Sequence, residues 1–200
     1  MVGNIFKQEL QLATGVAWEE WVAKLQRTID ARWSHEQIKL HIAEEYQAAE
    51  PWDEWLAVMY GHLLGRIPTG VTKDAGVQIG VRRTLAAEKE RVWDFLLSPD
   101  GLRLWIGEGT DFRAEAGCHY VSSGGASGRV TVAEPYHKLR MTWQLPTWDS
   151  PSRLQLTVLA SGAGKTTVAV HQEMLDDVYM RERMRLHWDG LLERLKEALA

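Results

Sequence analysis

The sequence predicts an α+β fold in which an antiparallel sheet wraps around a long C-terminal helix, preceded by a small three-helix domain. Three observations predict this fold. Apolar residues recur at helical spacing over the first third of the chain, alternate with polar residues over most of the remainder, and return to helical spacing from about Val178 to Leu199. Tight-turn residues separate the alternating segments, as in antiparallel hairpins. A single amphipathic helix can then cover the dry face of the sheet.

The composition is that of an ordinary globular protein with an excess of tryptophan. Of the 200 residues, 45% are apolar and 25% are charged, so the chain can bury a core. Ten tryptophans supply large rigid surfaces, which fill cores or line ligand cavities. Composition does not choose between these two uses.

Residues 1–70 are predicted to form a small Trp-rich domain of three short helices. The second helix has a start signal, because Ser34 is followed three residues later by Gln37, and Pro51 suits the first turn of the third helix. Helices this short are stable only when packed together. Tryptophans left on the surface could dock on the second domain or on another copy of the chain, which leaves a homodimer open. The three apolar faces are Trp18, Trp21, Val22 and Leu25; Ile38, Ile42 and Tyr46; and Trp52, Trp55, Leu56, Met59 and Leu63.

A linker is predicted at Gly65–Gly76, which contains Pro68 and three glycines. Residues 71–76 are its end, and residues 77–200 form the second domain. That domain opens with a strand at Val77–Val81 and a helix at Glu88–Leu97, which a turn at Ser98–Gly101 ends. The further strand candidates are Thr110–Arg113, Cys118–Ser122, Gly128–Glu134, Lys138–Leu145, Ser152–Leu159 and Thr166–Glu173.

The alternation along these strands predicts which side chains face the final helix. Charged and hydroxyl neighbours such as Arg140, Thr142 and Arg153 should point to water. The residues predicted to face the helix are Leu139, Met141 and Trp143; Leu154, Leu156 and Val158; and Val168 and Val170.

Three stretches of the second domain resemble a known superfamily: Gly-Arg-Val-Thr-Val-Ala-Glu-Pro from Gly128, Leu-Arg-Met-Thr-Trp from Leu139, and His-Trp-Asp-Gly-Leu-Leu-Glu-Arg-Leu from His187. They are similar to the helix-grip, START-like (SRPBCC) superfamily, in the branch named for the activator of the heat-shock-protein ATPase. The likeness covers about residues 76–199. It implies a curved sheet gripping the helix over a cavity that holds an apolar small molecule or a partner surface. The N-terminal stretches Thr14–Trp21 and Trp33–His35 resemble a small bacterial helical domain of unknown function.

The glycine-rich stretch Ser161–Thr167 is interpreted as a hairpin turn and not as a nucleotide site. A phosphate-binding loop needs a glycine where this chain has Leu159, and it needs a helix after the loop. Thr166–Glu173 has the pattern of a strand instead. The glycines then provide positive backbone angles in a hairpin.

No motif for catalysis or metal binding is found. The histidines lack the spacing of a zinc site, Cys118 has only His119 nearby in sequence, and no serine lies in a nucleophile elbow. We therefore expect no catalytic set, no metal and no cofactor. A cyclase- or hydrolase-like enzyme in the cavity, using polar groups such as His171, Glu173 and Arg113, stays an alternative.

Aromatic and methionine side chains are the remaining candidates for a ligand cavity. Apolar lining with a few polar groups is typical of small-molecule sites, and methionine adapts to irregular shapes. The same side chains could fill a solid core, an interpretation favoured for Trp143 and Trp188. The leading hypothesis is a non-enzymatic protein that binds a small apolar ligand or a protein partner in or over the sheet–helix cavity. A co-chaperone that stimulates a chaperone ATPase is an alternative. The candidates are Trp105, Phe112, Tyr120, Met141, Trp143, Met174, Met180, Met184 and Trp188.

Charge and hydropathy argue against nucleic-acid and membrane partners. The net charge is −4, and residues 71–200 hold seventeen cationic and seventeen acidic residues, so no basic face is expected. No run approaches the roughly 18 apolar residues of a membrane span, and Met1–Leu10 lacks a signal-peptide pattern. The single cysteine suits a reducing compartment. We expect a cytoplasmic protein.

Overall fold

The computed structural model describes residues 2–66, 71–72 and 76–200. These residues form two compact units, one made of residues 1–71 with 176–180 and the other of residues 72–175 with 181–200. The helices are α1 (Asn4–Thr14), α2 (Trp18–Thr28), α3 (His35–Tyr46), α4 (Trp52–Leu63), α5 (Lys89–Leu97), α6 (Pro99–Trp105) and α7 (Val178–Ala198). The strands are β1 (Val71–Thr72), β2 (Gly76–Leu85), β3 (His119–Val121), β4 (Ser127–Glu134), β5 (Lys138–Trp143), β6 (Ser152–Gly162) and β7 (Lys165–Leu175).

The first unit contains the three predicted helices and one more helix before them. The additional helix, α1, buries Ile5, Phe6 and Leu10. It ends at Gly15, whose φ of 71° is the left-handed conformation that favours glycine after a helix. This apolar spacing and the Thr14-Gly15 stop are visible in the sequence, so the helix was predictable although it was not predicted.

The start signal predicted for α3 is confirmed. The Ser34 hydroxyl accepts a hydrogen bond from the Gln37 backbone N–H, and the Gln37 side chain accepts one from the Ser34 backbone N–H. Trp18 and Trp21 are buried as expected. The predicted inward position of Leu63 is wrong, because that side chain is 52% exposed in the last turn of α4.

The second unit is built on one sheet with the strand order β1-β2-β7-β6-β5-β4-β3. Strands β3 to β7 follow one another as antiparallel neighbours, and β2 pairs antiparallel with β7. The Ser161–Thr167 stretch forms the turn between β6 and β7, which confirms the hairpin interpretation. This sheet with its long C-terminal helix confirms the predicted fold class.

The predicted alternation of the sheet is confirmed, and α7 covers the buried face. Trp188 of α7 is fully buried and its ring lies 5.9 Å from that of Trp143 on β5. Arg83 of β2 reaches the same helix, with ion pairs of 2.9 Å to Asp189 and 2.6 Å to Glu193. The buried side chains of the sheet include Leu139, Met141, Trp143, Leu154, Leu156, Val158, Val168 and Val170.

The strand predicted at Thr110–Arg113 is wrong, because the structure has an irregular segment there. Gly107 and Gly109 have φ angles of 120° and 64°, which turn the chain immediately before it. Phe112 is nevertheless buried, with its ring 5.4 Å from Trp105 and 5.5 Å from Tyr120. The segment is therefore held against the second unit by packing of the Phe112 ring on Trp105 and Tyr120, and not by the hydrogen bonds of a strand.

Among the helices described, even the 21-residue α7 lacks the apolar stretch that a membrane span requires.

Candidate functional site

Most of the predicted cavity residues are buried in the interior of the second unit. These residues fall into two ring clusters. One cluster joins Trp105, Phe112 and Tyr120, and the other surrounds Trp143 and Trp188. Their contacts are those of packed aromatic side chains, whose centroids usually lie 4.5–7 Å apart. The cavity candidates that are buried in this unit are Trp105, Phe112, Tyr120, Met141, Trp143, Met184 and Trp188.

The second ring cluster lies where β5 ends against α7. Trp143 has Trp148 at 5.2 Å, from the segment after β5, and Trp188 at 5.9 Å. His187 lies 4.8 Å from Trp188 and 6.2 Å from Trp143. Trp148 was not among the predicted cavity residues, because it lies outside any strand and follows no alternation. Three buried indoles therefore fill this end of the interior, and the His187 ring, on an exposed residue, lies at its edge.

A chain of buried hydrogen bonds fixes the centre of the interior. The Trp188 indole N–H donates to the Gln172 side-chain oxygen at 2.7 Å, and the Gln172 amide donates to the Ser152 hydroxyl at 2.8 Å. Ser152 in turn donates to the Trp143 carbonyl oxygen at 2.8 Å. Each of these polar groups therefore has a partner, as burial in an apolar environment requires. Sequence analysis missed Gln172 and Ser152, although both occupy inward positions of predicted strands.

The indole N–H of Trp143 is the exception. It is buried and has no hydrogen-bond partner among the described residues. A buried donor without an acceptor costs roughly 1–3 kcal/mol. Its hydrogen-bonding capacity is therefore unused in this structure.

Two ionisable side chains at the edge of this interior have shifted pKa values. Burial raises the pKa of Tyr120, whose hydroxyl donates to the Thr142 carbonyl oxygen at 2.8 Å. Partial burial against the two indoles, together with the nearby Arg194, lowers the pKa of His187, although part of its ring is open to solvent. Tyr120 therefore stays protonated over a wider pH range than a solvent-exposed tyrosine.

Two predicted cavity residues differ from the rest of the set. Met174 is 55% exposed, because β7 carries an extra residue between Gln172 and Leu175, opposite Ile79 and Val77 of β2. This bulge, with Met174 at a φ of 61°, reverses the alternation, so that Leu175 is buried instead.

Met180 is the second of these residues. It is buried, but it belongs to the first unit together with the rest of residues 176–180. Its predicted place in a ligand cavity therefore stays a prediction.

Few polar side chains are buried among the described residues of the second unit. Among the described residues of the second unit, the fully buried polar side chains are Ser122, Ser152, Thr166 and Gln172, and none is a carboxylate, a histidine or a cation. The described residues also contain no group of three or more histidine, cysteine or acidic side chains placed to hold a metal ion.

A polar cleft of about 180 Å³ lies on the opposite, open face of the sheet. We call it the outer-face cleft. It is formed by neighbouring outward positions of three strands, which the register places side by side: Arg140 pairs with Gln155, Gln155 with His171, and Arg153 with Glu173. The lining residues are Arg140, Arg153, Gln155, His171 and Glu173.

Hydrogen bonds order the side chains of the outer-face cleft. Arg140 donates to the Gln155 side-chain oxygen at 2.6 and 3.0 Å, and Arg153 donates to Glu173 at 2.7 Å. The His171 ring lies 3.4 Å from Glu173. Two guanidinium groups therefore face one carboxylate, and the cleft has a cationic excess.

The sequence predicted that Arg140 and Arg153 point to water, but not that they share a cleft. His171 and Glu173, named with Arg113 for the enzyme alternative, lie in this cleft and not under α7, and Arg113 does not line it. The three residues therefore do not form a catalytic group in the interior.

Comparison with known protein families identifies the second unit. Residues 86–200 match the family model described as Activator of Hsp90 ATPase homolog 1-like protein. The chain belongs to this family. The predicted resemblance is thereby confirmed. Comparison with curated proteins gives no match.

Solved structures with the same fold come from several organisms. An Hsp90 activator from Plasmodium falciparum is 15% identical, with a TM-score of 0.54 over 61% of this chain and 95% of that chain. The Aha1 dimer from Colwellia psychrerythraea is 21% identical, with a TM-score of 0.51 over 62% and 96%. CalU16 from Micromonospora echinospora is 23% identical, with a TM-score of 0.52 over 62% and 76%. At these identities the likeness shows the fold alone.

Proposed function

We propose that the second unit is a non-enzymatic protein-binding module whose outer-face cleft receives acidic side chains of a partner. One observation carries the proposal: Arg140 and Arg153 lie side by side in an open cleft, whereas the face under α7 is filled by packed rings. Binding over the sheet surface needs no internal cavity.

The chemistry of the outer-face cleft supports an acidic partner. A guanidinium carries five N–H donors, and Arg140 directs two of them to Gln155, so further donors face the cleft. Arginine binds carboxylates in a bidentate geometry and loses less hydration than lysine on doing so. Glu173 holds Arg153 in place without cancelling the charge of both arginines.

An Hsp90-type chaperone is the partner class that the family suggests. The family description names an activator of the Hsp90 ATPase, and one protein of the same fold is an Hsp90 activator. The test is the ATP turnover of a purified Hsp90-type chaperone with and without this protein. Stimulation that saturates with added protein supports the proposal, and an unchanged rate together with no detectable binding contradicts it.

Charge reversal tests the cleft itself. The variant Arg140→Glu with Arg153→Glu should weaken chaperone binding about tenfold or more in calorimetry, because like charges then face the partner. The control is Arg91→Glu with Arg113→Glu, which changes the net charge equally at two exposed positions outside the cleft. Equal losses in both variants would show that the cleft is not the contact.

A small apolar ligand in the interior is a second candidate, and the free Trp143 N–H favours it. A carbonyl or ether oxygen on such a ligand could accept this hydrogen bond, with the rest of the molecule against Trp148 and His187. Because rings now occupy this space, the ligand would have to displace Trp148. Native mass spectrometry after exposure to a cell extract would detect it. Retention of the same bound species by Trp143→Phe would argue against this site.

A further inference from the structure

The first unit contains a cleft of about 300 Å³ that no part of the foregoing function uses. It lies between the α1–α2 connection and the α3–α4 connection, and we call it the Trp21 cleft. Its rings come from Trp21 of α2, Tyr46 at the end of α3 and Trp52 at the start of α4. The volume is at the lower end of the range for small-molecule sites. The aliphatic wall is completed by Ala13, Val16, Ala48 and Ala49.

The polar atoms in the wall of the Trp21 cleft are already engaged within the protein. The Trp21 indole N–H donates to the Thr14 hydroxyl at 3.2 Å, and that hydroxyl donates to the Leu10 carbonyl oxygen at 2.8 Å. The Tyr46 hydroxyl lies 2.9 Å from that of Thr28. The inner wall therefore presents apolar and ring surface, which binds flat apolar groups through dispersion and loss of hydration.

The rim of the cleft differs, because it carries two side chains that can donate hydrogen bonds. The Lys24 ammonium lies 5.4 Å from the centre of the Trp21 ring and 3.2 Å from Glu20. This exposed pair is a weak interaction, so the ammonium can turn to another anion. Gln47, the exposed residue that caps α3, lies on the same rim.

From this arrangement we propose that the Trp21 cleft binds a small flat aromatic molecule that carries a carboxylate. The ring lies against Trp21, Tyr46 and Trp52, and the carboxylate reaches Lys24 and Gln47 at the rim. The lining combines three rings and small aliphatic side chains with the donors of Lys24 and Gln47, and this combination favours an anion with a flat apolar body over a sugar or a nucleotide. The proposal is independent of partner binding by the outer-face cleft.

Naphthalene-2-carboxylate is a suitable probe, with naphthalene-2-carboxamide as the neutral molecule of the same shape. Titration into the full chain should give saturable binding in calorimetry and a shift of the Trp21 indole N–H signal in NMR spectra. The carboxamide should bind about threefold more weakly, and Lys24→Gln should reduce the affinity for the carboxylate to the same level. Absence of saturable binding, or equal affinities for the two probes, would overturn the proposal.

A matched pair of substitutions on α1 locates the site. Ala13 is exposed and lines the cleft, so Ala13→Phe should fill it and weaken binding roughly tenfold or more. Leu12→Phe places the same ring on the adjacent, 86% exposed position, which does not line the cleft, and should leave the affinity within about twofold. Thermal unfolding confirms that both variants fold. If Ala13→Phe folds and binds as the wild type does, or if the Trp143 indole signal shifts in place of that of Trp21, the site is elsewhere and the proposal is wrong.

Discussion

The indole groups of Trp143 and Trp188 differ in their hydrogen bonding although both side chains are buried. Trp188 donates to Gln172, whereas Trp143 has no partner among the described residues. Both are inward residues by their sequence pattern, so periodicity predicts their burial and not their polar contacts. A buried amide such as Gln172 is stabilising only while both of its neighbours are in place.

Replacement of Gln172 tests this hydrogen-bond chain. Gln172→Leu should reduce the free energy of unfolding by about 2–3 kcal/mol, because the Trp188 indole N–H is left buried without an acceptor. Gln155→Leu, on the open face of the same sheet, should change it by less than about 0.5 kcal/mol. Urea unfolding of the two variants measures both values. Equal effects would mean that the buried amide has no special role.

Asp177 of the first unit should make stability depend on pH. Burial raises the pKa of this carboxyl above its ordinary value, although backbone N–H groups of Met180 and Gly3 donate to it at 2.8 Å. The folded state therefore holds the proton more tightly than the unfolded state, and the resulting stabilisation is lost as the pH rises through the folded-state pKa. Lowering the pH from 7 to about 4 should stabilise the wild type relative to Asp177→Asn. A difference between the two proteins that stays constant or reverses over this range contradicts the assignment.

At the scale of secondary-structure elements, two features interrupt an otherwise regular sheet: a close approach between β4 and β5, and a bulge in β7. Gly128 of β4 lies so near β5 that a Cβ atom there would be 1.9 Å from the Thr142 carbonyl oxygen and 2.7 Å from the Tyr120 hydroxyl. The bulge in β7 adds one residue to the strand and turns the Met174 side chain away from the interior. Neither feature follows from alternation along a strand.

The close approach at Gly128 predicts an unequal response to alanine. Gly128→Ala should destabilise the protein by about 3 kcal/mol or more, because the added methyl group meets backbone atoms that cannot move aside. At Gly80 of β2 nothing lies within 4 Å of the added atom, so Gly80→Ala should have little effect. Chemical unfolding of both variants compares the two sites. A tolerated alanine at Gly128 would mean that β4 and β5 are further apart than described.

Two methionines that were both predicted to line the cavity should contribute differently to stability. Met184 of α7 is buried, so Met184→Ala should cost about 2–4 kcal/mol. Met174→Ala should cost less than about 0.5 kcal/mol because its side chain is exposed. Thermal and urea unfolding give these values. A large loss of unfolding free energy in Met174→Ala would show that the Met174 side chain is packed in the interior.

For the whole molecule, residues 1–70 and 77–200 were predicted as two domains, and this boundary stays a prediction because residues 67–70 and 73–75 lie outside the described chain. The compact units also differ from a simple cut at a linker, since residues 176–180 belong to the first unit. In that unit the Tyr179 ring lies 5.4 Å from Phe6 and 4.9 Å from Trp55. A short segment far along the chain therefore completes a core that the sequence assigned to the N-terminal helices alone.

Limited proteolysis tests the domain boundary. At low protease concentration the first cleavage should fall between Gly65 and Gly76, where proline and glycines predict a linker. Mass spectrometry of the fragments locates the cut. First cleavage inside a described helix or strand would show that the chain does not divide at this position.

The sequence by itself determined most of the helices and strands of the second unit, apart from the segment at Thr110–Arg113. It also determined the hairpin at Ser161–Thr167 and the residues that face α7 over most of the sheet. These features depend on local periodicity and turn chemistry, which each segment carries in its own residues. Only the tertiary structure decided that Met174 turns outward, that Gln172 joins Trp188 to Ser152, and that Arg140 and Arg153 share a cleft. Each of these depends on the register between strands or on contacts between residues distant in sequence, and no local pattern encodes such a pairing.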